Sequence, residues 1–199
     1  CGTILSHGMQ NIIEKCFEEV NFSNMSKLDD NGLPIINGEN GVFDETRPLG
    51  KILKGDDISA TVYYKKLDAV EANEGSRISS EKEIKAIGFD IITKEGSEVV
   101  LKNLVADKLT VRCGAGSIVT VKGSVKNQDV LSNSGAKYDG EYCITQQTTV
   151  TVNAGGLANV YATDLVDAKT RAGGTITIYG KPKQINQKVV AGGTIREAK

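Results

Sequence analysis

The sequence predicts an all-β protein: a parallel β-helix (solenoid) of about seven coils of 18–21 residues, with a short N-terminal capping α-helix. The first observation behind this is a phased glycine. The chain reads NEGSRI around Gly75, KEGSEV around Gly96, GAGSIV around Gly116 and NSGAKY around Gly135. It continues with AGGLANV around Gly156, AGGTITIYG around Gly174 and AGGTIRE around Gly193. Successive spacings are 21, 20, 19, 21, 18 and 19 residues. The second observation is the residue that follows: Ser76, Ser97, Ser117, Ala136, Leu157, Thr175 and Thr194, small at every position except Leu157. A frame on Gly155 would put Gly156 there instead. The third is the text between glycines, which alternates and is β-branched, as in Thr149-Val150-Thr151-Val152 and Thr175-Ile176-Thr177-Ile178-Tyr179.

A period near 19 is too short for a pair of helices, and no LxxLxL frame supports a leucine-rich repeat. Three strands of about five residues joined by tight corners fill it. Coils stacked at about 4.8 Å would then build a rod about 30–35 Å long. Glycine suits the corners because it adopts positive φ without a Cβ clash. Small residues beside it let coils approach. The side chains expected to point inward are Val70, Ile91, Leu101, Leu109, Val111, Ile118, Val121, Val130, Val150, Val152, Val160, Leu165, Ile176, Ile178 and Val189.

The repeat is expected to occupy 67–199 and a cap with leading strands 1–66, packed as one continuous domain. Ile12, Ile13, Cys16, Phe17 and Val20 form an apolar stripe at helical spacing, with Glu14, Lys15, Glu18 and Glu19 opposite. This predicts a helix over 7–20 that lids the open solenoid end, where apolar core and unpaired strand edges would otherwise invite growth. Asn37-Gly38-Glu39-Asn40-Gly41 reads as a loop, and Ile58 to Tyr64 as a strand.

Composition narrows the function. Lys and Arg total 24 against 25 Asp and Glu, a net charge of −1, so no basic surplus draws the chain to nucleic acid. No apolar run approaches the roughly 20 residues of a membrane span. Cys1 stands where lipoprotein processing leaves a cysteine, so membrane contact is expected only through a lipid anchor there; a trimmed start accounts for it equally well. Cys16 and Cys143 read as buried thiols rather than disulfide partners, and Cys113 is undecided.

The block from Ala172 to Ile195, with the corner Tyr179-Gly180-Lys181-Pro182 followed by Ala191-Gly192-Gly193, resembles the head-GIN domain of the putative auto-transporter adhesin family of Bacteroidetes. The likeness is good over 106–199, weaker over 67–105 and not visible in 1–66. It implies a parallel β-solenoid, export from the cytoplasm and a surface or adhesive role at the cell surface, outer membrane or periplasm. It brings no catalytic residues.

The residues themselves give no catalytic, cofactor-binding or metal site. One histidine, His7, cannot complete a Ser-His-Asp or Cys/His zinc set, and no GxSxG or GxxxxGK[ST] is present. Asp29-Asp30 and Asp56-Asp57 read as solvated loop acids. Asp129, Asp139, Glu141, Asp164 and Asp167 fall at different phases of the repeat, which weakens a polysaccharide-processing β-helix enzyme. The expected function is therefore an exported, non-enzymatic binding or adhesive surface. Its expected partner is a glycan, a host protein or an envelope component, with no cofactor; a homo-oligomer is compatible with the pattern. A self-assembling structural protein is the second reading, and the enzyme the third.

Overall fold

The computed structural model describes Tyr64 and residues 66–198, together with the backbone of the short strands Thr3–Ser6, Val20–Asn21, Met25–Leu28, Pro34–Ile36, Gly41–Val42 and Thr61–Val62. The chain divides into two units: Cys1–Cys16 with Lys66–Lys199, and Phe17–Lys65. The second contains an antiparallel pair, Val20–Asn21 with Thr61–Val62, and an antiparallel sheet of Met25–Leu28, Pro34–Ile36 and Gly41–Val42. The helix expected over 7–20 lies outside the described residues apart from Val20, which opens a strand. The loop expected at 37–41 also lies outside them, except that Gly41 opens a strand.

The first unit is the predicted solenoid. Its strands pair in parallel, each coil with the next. Glu98–Cys113 shows how one coil is made. Its burial alternates over 98–101, breaks at the exposed pair Lys102-Asn103, alternates over 104–106, breaks again at Asp107-Lys108 and alternates over 109–113. Two inward residues can be separated by one outward residue on a flat strand, but by two where the strand bends. Three flat faces result. Face A covers 98–101, face B 104–106 and face C 109–113, and the next three coils repeat the pattern. Thr3–Ser6 pairs with Ala69–Ala72 on face C, ahead of the first full coil.

Each coil closes between face C and the next face A by a turn whose two central residues both have positive φ: Glu74 (53°) with Gly75 (71°), Glu95 with Gly96, Ala115 with Gly116, Ser134 with Gly135. This is the type I′ geometry. The Ser76 amide closes the turn on the Asn73 carbonyl at 3.1 Å. Turns also stack. The Gly75 amide donates to the Glu95 carbonyl at 2.9 Å, Gly96 to Ala115 at 3.0 Å and Gly116 to Ser134 at 3.1 Å, so the ladder runs through the corners.

In the last three coils the turn pairs are Ala154-Gly155, Ala172-Gly173 and Ala191-Gly192, one residue earlier than the frame on Gly156, Gly174 and Gly193. The corrected frame puts Ser76, Ser97, Ser117, Ala136, Gly156, Gly174 and Gly193 at the third turn position. The reason is packing. This position abuts the last inward residue of the preceding face C, which runs Ala72, Thr93, Cys113, Ser132, Val152, Thr170. Beside Ala72 there is room for Ser97, whose Oγ donates to the Ala72 carbonyl at 2.7 Å. Beside Ser132 a Cβ on Gly156 would fall 2.7 Å from the hydroxyl oxygen. Beside Val152 a Cβ on Gly174 would fall 2.5 Å from Cγ1 and 2.9 Å from the Gly156 carbonyl oxygen.

The inward columns are apolar. Val99, Val119, Tyr138, Ala158 and Ile176 are in register on face A, and Ile91, Val111, Val130, Val150 and Ala168 on face C. Tyr138 is the one large aromatic of its column, and Gly140 makes space for it: a Cβ there would lie 2.5 Å from the phenol oxygen. The Gln128 amide donates to that hydroxyl at 2.6 Å. Twelve of the fifteen side chains expected inside are buried. Ile118, Leu165 and Val189 are corrections. Ile118 is 41% exposed because its strand begins outward and Val119 is the inward residue. Leu165 likewise yields to Val166. Val189 occupies an inward column on Gln184–Val190, the last described strand of face C, and is 51% exposed.

Oppositely charged side chains pair across neighbouring coils: Arg77 with Glu98 (3.2 Å), Arg112 with Asp129 (3.0 Å), Lys126 with Asp107 (2.7 Å), Lys183 with Asp164 (2.7 Å), and Lys102 with Glu81. Solvent-exposed pairs of this kind contribute about 0–1 kcal/mol each and mainly favour register.

Cys113 and Cys143 are both free and buried. Burial pushes their thiols up, to about 11 and about 12 respectively, from an ordinary value of 9.0. Below pH 9 the folded and unfolded chains both hold these protons. Above it the unfolded chain releases them while the folded chain does not, so stability falls as pH rises from about 9 to about 12. The Cys113→Ala/Cys143→Ala variant should lose that part of the alkaline decline in chemical denaturation, and an unchanged pH profile would contradict the burial. The turn column makes a second expectation. Gly174→Ala should cost roughly 2–4 kcal/mol through overpacking and a strained φ of 108°, whereas Ala154→Gly, which relieves a left-handed Cβ, should be neutral or stabilise by up to about 1 kcal/mol. Urea melts of the two variants distinguish them, and equal losses would contradict the assignment.

Candidate binding surface

Face B carries the most exposed apolar side chains of the solenoid. Its strands are short, so outward positions are few and near the corners. One outward column is Lys85, Val105, Ser124, Ile144 and Tyr161, in register across five coils. The residue two positions further along each coil, at the bend toward face C, is Ile87, Asp107, Lys126, Gln146 or Thr163. Ile87 is 80% and Ile144 51% exposed. With Lys66, these side chains other than Tyr161 line a shallow open depression of about 700 Å³.

The polar groups of the depression are largely paired with one another. Lys85 holds Glu83 at 2.8 Å, and that carboxylate keeps the ammonium group protonated to higher pH than usual. Lys126 holds Asp107 at 2.7 Å, and Lys66 holds Asp68 at 3.2 Å. The result is an apolar stripe between ion pairs, the arrangement of an interface with an apolar centre and a polar rim. Burying isoleucine or valine there on contact would contribute by removing apolar area from water, while the paired charges limit which partners fit.

The acids weighed for catalysis are scattered. Asp129 and Asp167 share one outward column of face C, with Thr149 between them, so they stand two coil spacings apart, about 9.6 Å by strand spacing. Asp129 is bound to Arg112 and Asp164 to Lys183. Asp139 lies outward on face A, and Glu141 follows at the corner toward face B. Among the described residues no group of three or more His, Cys, Asp or Glu side chains converges to hold a metal ion. The face B stripe was not singled out from sequence, although strict alternation through Leu104-Val105-Ala106 marks Val105 as outward once the corner residues are placed.

Residues 14–182 match the family described as "Putative auto-transporter adhesin, head GIN domain". Among solved structures, the chain is similar to a putative adhesin from Bacteroides fragilis at TM-score 0.69 and 20% identity, covering 78% of this chain and 70% of that one. A putative adhesin from Parabacteroides distasonis aligns at TM-score 0.60 and 25% identity, over 65% of this chain and 55% of that one. A protein from the same organism described as a putative lipid binding protein aligns at TM-score 0.57 and 18% identity, over 74% and 70%. At these identities the first and third likenesses show the fold. No curated protein matches the chain.

Proposed function

Because this chain belongs to the putative auto-transporter adhesin family, head GIN domain, we propose that it is an exported, non-enzymatic β-solenoid that presents a binding surface at the bacterial cell envelope, and that face B is that surface. The observation that carries the reading is Ile87. A residue that contributes almost nothing to the core stands 80% exposed in a depression with two further outward aliphatic residues, Val105 and Ile144. Isolated exposed aliphatics are ordinary, but a stripe continued over several coils and edged by ion pairs is the kind of patch that partners cover. Presentation on a solenoid suits such a role: the core is self-contained, and each coil adds outward positions without disturbing the strands beneath.

The scattered, largely salt-bridged carboxylates favour binding over hydrolysis. Surface or periplasmic placement follows from the adhesive role. The test is binding of the purified, labelled chain to intact bacterial cells, isolated envelopes and mucin-coated surfaces. Saturable binding to at least one is expected. The Ile87→Asp/Ile144→Asp variant should melt within about 0.5 kcal/mol of the parent, since both positions face solvent, and should bind at least tenfold more weakly. Absence of saturable binding, or full binding by the variant, would contradict the proposal.

A further inference from the structure

Where face A meets face B, coils of unequal length crowd aromatic side chains together. Gly140 and Ile144 of one coil pair with the consecutive residues Val160 and Tyr161 of the next. The intervening residues bulge, and Tyr142 projects from the bulge, 62% exposed. Lys122 of the preceding coil places its ammonium over that ring, 5.0 Å from its centre. Tyr161 and Tyr179 are in register on successive coils. The Tyr161 ring lies against Gly180, where a Cβ would come within 2.6 Å of Cε1.

A polar column, Asp139, Asn159, Thr177 and Arg196 in register, runs beside these rings, with Asn159 and Thr177 two residues before Tyr161 and Tyr179. The Arg196 guanidinium donates to the Thr177 hydroxyl at 3.3 Å. Burial, then the carboxylates of Glu141 and Asp139, raise the Tyr179 hydroxyl above its ordinary value.

We propose that this corner, built by Tyr142, Tyr161 and Tyr179 with Asp139, Asn159 and Arg196, binds a neutral hexose polysaccharide. A pyranose ring has an apolar C–H face that stacks on an aromatic ring and a rim of hydroxyls that both donate and accept. Carboxylate oxygens accept from that rim, and the amide and guanidinium donate to it. Asp139 and Glu141 offset most of the charge of Lys122, Lys137 and Arg196, so no large cationic surplus draws an acidic chain to the corner. Coils repeat at about 4.8 Å, close to the residue repeat of an extended hexose chain, so successive sugars meet successive tyrosines. A purely apolar ligand would desolvate Asn159 and the Asp139 carboxylate, whose ion pair with Lys137 is long at 3.9 Å. An extended peptide adding to the sheet would need a free strand edge; the strands that carry Tyr142 and Tyr161 are paired on both sides, so such a peptide could add only at Thr194–Glu197, the last described strand of face A.

This inference rests on the binding reading above and names the ligand chemistry at one end of the same surface, since Tyr161 continues the column of Val105 and Ile144. Affinity gel electrophoresis of the whole chain through hydroxyethyl cellulose, laminarin or α-mannan, with polygalacturonate as the acidic control, tests it. Retardation by at least one neutral polymer is expected, reduced at least tenfold in Tyr142→Ala and in Tyr179→Phe/Asp139→Asn, with melting curves close to the parent. Asp167→Asn, at an outward position of face C away from both the tyrosines and the depression, should retain the retardation. Retardation by polygalacturonate alone, by no polymer, or undiminished in both tyrosine variants would overturn the proposal. Envelope binding that persists in that case would leave the broader function standing.

Discussion

The structure depends on one steric constraint, the contact between each turn and the end of the face before it. Two consecutive left-handed residues reverse the chain, and the next residue must pass beside the last inward side chain of the preceding coil. The volume there is shared between the two side chains: serine beside alanine at Ser97 and Ala72, serine beside threonine at Ser117 and Thr93 where the two hydroxyls hydrogen-bond at 2.8 Å, and no side chain at all beside valine at Gly174 and Val152. Misfit at this point would lift a coil off its neighbour and break the hydrogen bonds that carry the ladder through the corner, such as Gly96 to Ala115. In a fold where each coil touches only its neighbours, that loss would spread along the stack.

The same constraint explains what the sequence could and could not say. Period, parallel pairing and the buried valines of 150–152 are local properties, visible because alternation and turn chemistry repeat with the coil. The turn frame of the last three coils is less legible, because in AGG either glycine satisfies the turn and only the neighbour across the coil decides between them. Ile118 and Leu165 mislead for a related reason. Each sits beside another aliphatic, Val119 or Val166, and which of the two turns inward depends on the position of the bend. Sequence alternation cannot see a corner of variable length.

Those variable corners are also where the surface acquires chemistry. The faces hold their register, and the differences in coil length collect at the bends, as between Leu101 and Leu104 or Gly140 and Ile144. Side chains displaced there, Tyr142 above all, are released from the core and from the ladder and are free to meet a partner. Face B, edged by two bends, therefore concentrates exposed aliphatics and tyrosines, whereas face C carries an outward column of Asp and Thr from Asp90 to Asp167. Core and surface are thus separable: inward columns set stability, and corner residues set which side chains the solenoid exposes.

The steric account is tested most directly by transplanting one turn pairing onto another. Gly156 does not have a positive φ, so serine there is opposed by Ser132 and not by its own backbone. Gly156→Ser alone should destabilise by about 1–3 kcal/mol through overpacking. Adding Ser132→Ala recreates the Ser97–Ala72 pairing and should restore most of that loss, a coupling of about 1–2 kcal/mol in a double-mutant cycle followed by urea denaturation. Additive losses, with no recovery in the double variant, would contradict the claim that shared volume between turn and face holds the coils together.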